Sequence, residues 1–61
     1  MTLQEQLGKD FPDKDIRLLS IEPIHVRYRN QGCSVSLKSK SEATYDNVKH
    51  LAKESIKLLE G

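Results

Sequence analysis

Apolar and polar residues alternate strictly over residues 24–29, whose sequence is Ile-His-Val-Arg-Tyr-Arg. A period of two is typical of a β-strand that buries one face and exposes the other. We therefore predict a strand with its apolar residues facing a core and its cationic residues displayed together on the opposite face. The apolar residues are Ile24, Val26 and Tyr28, and the cationic residues are His25, Arg27 and Arg29.

A second alternating segment, residues 33–38, follows a hairpin signal at Asn30, Gln31 and Gly32. An even-numbered loop places apolar residues of the two segments opposite each other, whereas a three-residue loop would mix the two faces. We therefore predict an antiparallel hairpin in the even register. Its inward residues are Cys33, Val35 and Leu37, and its polar face pairs Arg29 with Ser34, Arg27 with Ser36 and His25 with Lys38.

The C-terminal part of the chain has helical spacing. Over residues 44–59 the apolar and small side chains fall within an arc of roughly 160°, which predicts a helix with a wide core-facing stripe. Ala52 and Ser55 lie near the centre of that arc, where small side chains allow a helix to approach a sheet closely. The segment 39–42, Ser-Lys-Ser-Glu, has the spacing of a capping box, so we predict that the helix opens there and stops at Gly61.

The N-terminal segment predicts a shorter helix. Thr2 and Glu5 have the spacing of a capping box, and Gly8 stands where such a helix would end. Pro12 and three aspartates predict a loop over residues 10–15.

Residues 16–21 predict a further strand, but their apolar residues do not alternate. In either regular register beside residues 24–29, one aliphatic pair would lie on the cationic face. That pair would be Ile16 with Leu18, or Leu19 with Ile21. An exposed aliphatic pair indicates a cover, which could be the N-terminal helix or a second copy of the chain.

Together these elements predict a single α+β domain over residues 1–61. A short N-terminal helix, a three-stranded antiparallel β-meander and a long C-terminal helix on one sheet face would form an α-β-β-β-α two-layer sandwich. A chain of 61 residues buries only about 60% of its unfolded surface, so its core is marginal. Its single cysteine cannot form an intrachain disulfide, and a homodimer is therefore the favoured source of further burial.

The composition also bears on location. No apolar run approaches the roughly 20 residues that span a bilayer, and Gln4, Glu5 and Gln6 interrupt any signal-peptide core after Met1. A lone thiol suits a reducing compartment. We therefore expect a cytoplasmic protein without a membrane partner.

Charge is unevenly distributed along the chain, although the formal net charge is only +1. Residues 23–41 contain four cations and no acidic residue, and this basic centre coincides with two predicted strands. We therefore predict a partner-binding surface on the sheet face opposite the long helix. Its candidate residues are His25, Arg27, Arg29, Ser34, Ser36, Lys38 and Lys40.

Three interpretations of this surface are open. It could bind nucleic acid, because arginine and lysine neutralise phosphates and serine hydroxyls add hydrogen bonds. Sheet-type nucleic-acid binders usually also expose aromatic side chains for stacking, whereas Phe11 and both tyrosines are predicted inward here. The surface could instead contact a protein, or be a solvated outer face whose cations discourage aggregation.

The residues show no pattern typical of an active site or a metal centre. No carboxylate is predicted beside His25, and the two histidines and Cys33 lack the spacing of zinc ligands. We therefore predict no catalytic residue, no metal and no cofactor. The expected function is that of a small accessory or regulatory protein that binds another protein, with a nucleic-acid-binding module as the alternative.

Overall fold

The computed structural model describes residues 2–61, which form two helices and one three-stranded antiparallel sheet. In chain order the elements are α1 (Leu3–Asp10), β1 (Asp15–Ile21), β2 (Ile24–Asn30), β3 (Cys33–Ser39) and α2 (Tyr45–Glu60). The strands lie in the order β1-β2-β3, and α2 packs across β2 and β3. The predicted α-β-β-β-α sandwich is confirmed. No helix within residues 2–61 has both the length and the apolarity to cross a bilayer.

The even register of the β2–β3 hairpin is confirmed. Tyr28 lies opposite Val35, and Val26 lies opposite Leu37. Gln31 and Gly32 form the two-residue turn and both have positive φ, 52° and 82°. Positive φ at both positions is the signature of a type I′ turn, whose twist matches that of paired strands.

The core lies between β2 and the apolar stripe of α2. Ile24, Val26 and Tyr28 are at most 2% exposed. Ala52 and Ser55 are fully buried, as their central position in the helical arc predicts. The hydroxyl of Ser55 donates to the carbonyl oxygen of Ala52 at 2.7 Å, so this buried polar group has a partner.

A β-bulge in β1 corrects the predicted placement of its aliphatic residues. Ile16 lies opposite Tyr28 and Leu18 opposite Val26, but Leu19 has no partner and Ser20 is opposite His25. The extra residue shifts the phase of the strand, so that apolar side chains on both sides of the bulge belong to the helix face. Ile16 and Leu18 lie on the helix face through their pairing with Tyr28 and Val26, so Ile16 is buried and Leu18 packs against the core. The bulge moves Ile21 to the same face, opposite Ile24.

The other two residues predicted to meet a cover remain exposed. Leu19 is 43% exposed at the bulge. Ile21 is 53% exposed, although it lies opposite the buried Ile24. Strand β1 ends at Ile21, so this residue stands at the margin of the sheet.

Helix α1 covers the β1 side of the core. Its N-cap is Thr2, whose hydroxyl oxygen accepts a hydrogen bond from the Glu5 amide at 3.2 Å. Leu7 is 1% exposed and joins the core cluster with Ile16. The helix runs to Asp10, so the predicted end at Gly8 is wrong. The two residues beyond the glycine are held by partners outside the predicted helix, because the Phe11 amide donates to the Leu7 carbonyl at 2.9 Å and Asp10 forms an ion pair with Lys49 at 3.5 Å.

Helix α2 begins later than predicted. Thr44 is its N-cap and accepts a hydrogen bond from the Asn47 amide at 3.3 Å. The segment 39–42 ends β3 and leads into a non-helical connection that runs to residue 44. The chain needs these residues to pass from the sheet layer to the helix layer. Gly61 is the C-cap, as predicted.

Cys33 is exposed, which corrects its predicted inward position. It is the first residue of β3 and lies opposite Asn30, directly beside the turn. The register gives it the same face as Val35, but the buried core does not extend to this end of the sheet.

Candidate functional site

The sheet face opposite the helices carries three cross-strand rows of polar side chains. We call this surface the outer face. Each row takes one residue from each strand, and the rows follow from the strand registers. They are Asp15–Arg29–Ser34, Arg17–Arg27–Ser36 and Ser20–His25–Lys38.

Six of the seven predicted site residues lie in these rows, and the structure adds three from β1. Asp15, Arg17 and Ser20 were missed because the apolar pattern of β1 does not alternate across the bulge. The alternation of Asp15, Ile16 and Arg17 in the sequence could have identified Asp15 and Arg17 as residues of one sheet face. Ser20 joins the outer face only through the bulge.

Lys40 is not part of the outer face. It follows the end of β3 and lines a groove of about 340 Å³ at the β1–β2 turn. The groove is also lined by Glu22 and Glu42. The predicted grouping of Lys40 with the strand cations is therefore not observed, because strand alternation ends before this residue.

The outer face carries four cations against one carboxylate, a formal charge of +3 with His25 neutral. Asp15 lies between two arginines, with 3.7 Å from a carboxylate oxygen to Nε of Arg17 and 3.7 Å to Nε of Arg29. Within residues 2–61, Arg27 forms no ion pair. It lies opposite Arg17, and like charges directly opposite each other destabilise a sheet.

None of the nine outer-face residues is a Phe, Tyr or Trp. Tyr28 is buried on the helix face, and Phe11 packs against the core. Within the described chain, no group of three or more His, Cys, Asp or Glu side chains could hold a metal ion. The chemistry of this surface is that of guanidinium, ammonium and hydroxyl donors.

A second polar cluster lies at the end of α2, around Glu60. One carboxylate oxygen accepts hydrogen bonds from the Tyr28 hydroxyl at 2.6 Å and from the Asn30 amide at 3.1 Å. The other accepts from the Lys14 ammonium at 3.0 Å. Glu60 therefore joins the helix end to β2 and to the loop before β1.

These contacts shift the ionisation of three groups. The hydrogen bond from Tyr28 lowers the pKa of Glu60, and the bond from Lys14 adds to the effect. The same contacts raise the pKa of Tyr28 and the pKa of Lys14, because both groups stay protonated while they donate to the carboxylate. The polar groups of this cluster are therefore hydrogen-bond partners of one another.

No protein-family model, no curated protein and no solved structure matches the chain. The two polar surfaces are therefore the features from which a function can be inferred. The Glu60 cluster satisfies its groups internally, whereas the outer face leaves a central arginine without an anionic partner among residues 2–61. The outer face is therefore the candidate binding site.

Proposed function

We propose that this protein is a small non-enzymatic accessory or regulatory protein that binds an acidic surface of another protein through its outer face. The observation that carries the proposal is Arg27. It is half-buried at the centre of the face, between Arg17 and Ser36, with no ion pair in residues 2–61. An anionic ligand there would relieve the repulsion between the two arginines.

A carboxylate ligand suits these donors. Guanidinium groups present a planar array of N–H donors that matches a carboxylate, and such charge-assisted hydrogen bonds are the stronger ones in proteins. Asp15 adds an acceptor at the margin of the face. A surface of mixed sign suits a protein partner, which carries both charges, better than a uniform row of phosphates.

The size of the chain supports a role through binding and self-association. A core of this size stabilises a domain only marginally, while the large apolar side chain of Leu58 remains 65% exposed. We propose that the protein is a cytoplasmic homodimer, since its lone thiol suits a reducing compartment and a second copy would bury further apolar surface.

Nucleic acid is the second candidate ligand. The formal charge of +3 and the hydroxyls of Ser34 and Ser36 favour it, because both contribute to phosphate contacts. The lack of an aromatic side chain among the outer-face residues disfavours it, because single-stranded binders use such side chains as stacking platforms.

The two candidates are distinguished by binding of defined probes to matched variants. The probes are a Glu-rich peptide, a single-stranded RNA and a DNA duplex, each titrated at two salt concentrations. The variants are Arg27→Ala and, as a control on the opposite layer, Lys53→Ala, which removes an exposed cation from α2. We expect Arg27→Ala to weaken peptide binding about tenfold or more, since a hydrogen bond to a charged group contributes about 1.5–3 kcal/mol.

Equal binding of the peptide by wild type and Arg27→Ala would overturn the proposal. Tighter binding of a nucleic acid than of the peptide, lost on Arg27→Ala and falling steeply with salt, would establish the second candidate instead. Lys53→Ala should leave either affinity unchanged.

A further inference from the structure

The two edges of the sheet differ in whether their outward-facing backbone groups have partners. At the β1 edge, the side-chain amide of Gln4 forms hydrogen bonds with outward-facing backbone groups of the strand. Its nitrogen donates to the Ile16 carbonyl at 3.4 Å, and its oxygen accepts from the Leu18 amide at 2.7 Å. These are the contacts that a neighbouring strand would make. Together with the bulge, they close this edge to further pairing.

The β3 edge is open. Strand β3 is seven residues long without proline or bulge, and no segment within residues 2–61 lies beyond it in the sheet. The two-residue turn closes on the pair Asn30–Cys33, which makes that pair a hydrogen-bonded one. By alternation, the backbone groups of Ser34, Ser36 and Lys38 point away from β2. An edge of this kind is a template for another strand.

Beside the open edge lies an apolar groove between β3 and the end of α2. Its volume is about 580 Å³, and its lining includes Leu37 and Leu58. Leu58 is 65% exposed. Glu54 and Lys57 flank it with opposite charges. The groove and the edge form one continuous surface because Leu37 belongs to both.

We infer that a second copy of this chain binds here, with the two β3 strands pairing antiparallel about a two-fold axis at Ser36. This arrangement deepens the self-association in the proposed function and does not depend on what the outer face binds. Ser36 then lies opposite the partner's Ser36, and Ser34 lies opposite the partner's Lys38. On the helix side, Val35 lies opposite the partner's Leu37.

The self-complementarity of β3 is the reason to name a second copy. In this register apolar residues meet apolar residues, and the one cation of the strand meets a serine rather than another cation. The opposite charges of Glu54 and Lys57 allow the same groove to face its own copy without net repulsion. An isologous contact, in which both copies use the same surface, requires that surface to be complementary to itself.

The product would be a six-stranded sheet with both outer faces on one side. A two-fold axis perpendicular to the sheet keeps the arginine rows of the two copies coplanar and the two α2 helices on the other side. The dimer would thereby present twice the outer-face charge as one continuous surface.

A cysteine cross-link tests the register. In a Cys33→Ser background, Ser36→Cys places two thiols opposite each other at about 5.5 Å between Cα atoms, within the range that a disulfide spans. Ser34→Cys is the matched control, because its two copies would lie about 14 Å apart from strand rise and spacing. We expect oxidation to give a covalent dimer with Ser36→Cys and not with Ser34→Cys. Equal cross-linking of both variants, or none of Ser36→Cys, would overturn the inference.

Sedimentation of wild type and edge variants over a concentration series tests the interface. Ser36→Pro removes an outward N–H and no internal hydrogen bond, and Leu58→Lys places a charge in the groove. Each should weaken dimerisation at least tenfold. Leu19→Lys, the same change on β1, should not. If Ser36→Pro does not fold, Leu58→Lys still tests the interface, because Leu58 is exposed in the monomer and its replacement should not disturb the fold.

A wild-type protein that stays monomeric at high micromolar concentration would contradict the inference. So would a dimer that Leu58→Lys leaves intact. Arg27→Ala should remain dimeric, so a failure of peptide binding in that variant is separable from a failure of self-association.

Discussion

Glu60 shows how a single side chain can stabilise a small fold despite an unfavourable position. It is the last residue of α2, where the helix dipole disfavours a negative charge. Three donors on other parts of the chain offset that cost, namely Tyr28, Lys14 and Asn30. The carboxylate therefore fixes the end of α2 to β2 and to the loop before β1.

The pH dependence of stability follows from these contacts. The folded-state pKa of Glu60 is lowered, so its contribution is present above the unfolded value, about 4.3, and is lost as pH falls through the folded value. Tyr28 and Lys14 have raised pKa values, so their contributions are present below about 10 and are lost as pH rises through the folded values. Stability should be flat at neutral pH and fall on both sides.

Glu60→Gln tests this account. We expect a lower urea midpoint than wild type at pH 7. The difference should begin to narrow as pH falls below the unfolded-state pKa of about 4.3, and it should be lost once pH is below the lowered folded-state pKa, where the wild-type carboxylate is protonated. Glu5→Gln is the control, because Glu5 is exposed on α1 and its carboxylate forms no ion pair within residues 2–61. A difference between wild type and Glu60→Gln that persists undiminished at low pH would show that packing, rather than charge, is responsible.

At the scale of elements, the start of α2 is determined by the path of the chain. Ser39 ends β3, and residues 40–44 carry the chain from the sheet layer to the helix layer. Thr44 is the residue with an extended backbone and a side chain placed to accept from the Asn47 amide. Threonine is common at helix N-caps because its side-chain oxygen accepts a hydrogen bond from one of the first backbone amides of the helix.

Alanine substitution distinguishes the two candidate caps. Thr44→Ala should cost about 1 kcal/mol of unfolding free energy, the usual effect of removing an N-cap oxygen. Ser39→Ala, which removes the cap residue of the predicted capping box, should change it by less than about 0.5 kcal/mol, since the Ser39 hydroxyl hydrogen-bonds to the exposed Ser41 and caps no helix. Equilibrium urea unfolding measures both. A larger effect of Ser39→Ala than of Thr44→Ala would place the functional cap at the capping box.

At the scale of the whole molecule, the core is small enough for single residues to decide folding. By the usual 0.05–0.15 kcal/mol per residue, a domain of this length has about 3–9 kcal/mol of stability. Helix α1 contributes its one buried residue, Leu7, to the same cluster as β2 and α2. The short helix is therefore part of the core rather than an appendage.

Leu7→Ala should cost about 2–5 kcal/mol, which is a large share of the total and all of it at the lower end of the range. We expect a largely unfolded protein at 37 °C by circular dichroism at low micromolar concentration, where self-association adds least. Leu19→Ala is the control, because the side chain is already 43% exposed. A cooperative transition close to that of wild type would show that α1 does not stabilise the fold.

The elements and the hairpin register could be predicted because they depend on local periodicity. Alternation over β2 and β3 specifies which side chains share a face, and slipping by one residue would bury the arginines. For the same reason, six of the seven predicted site residues lie together on the outer face.

The sequence by itself therefore determined the α-β-β-β-α order, the pairing of β2 with β3 and the presence of a cationic sheet face. Only the tertiary structure decided the bulge at Leu19, the register that sets Arg17 opposite Arg27 and the closure of one edge by Gln4. Each of these depends on contacts between residues distant in sequence. Periodicity reports which way neighbouring side chains point, and it carries no information about which distant groups they meet.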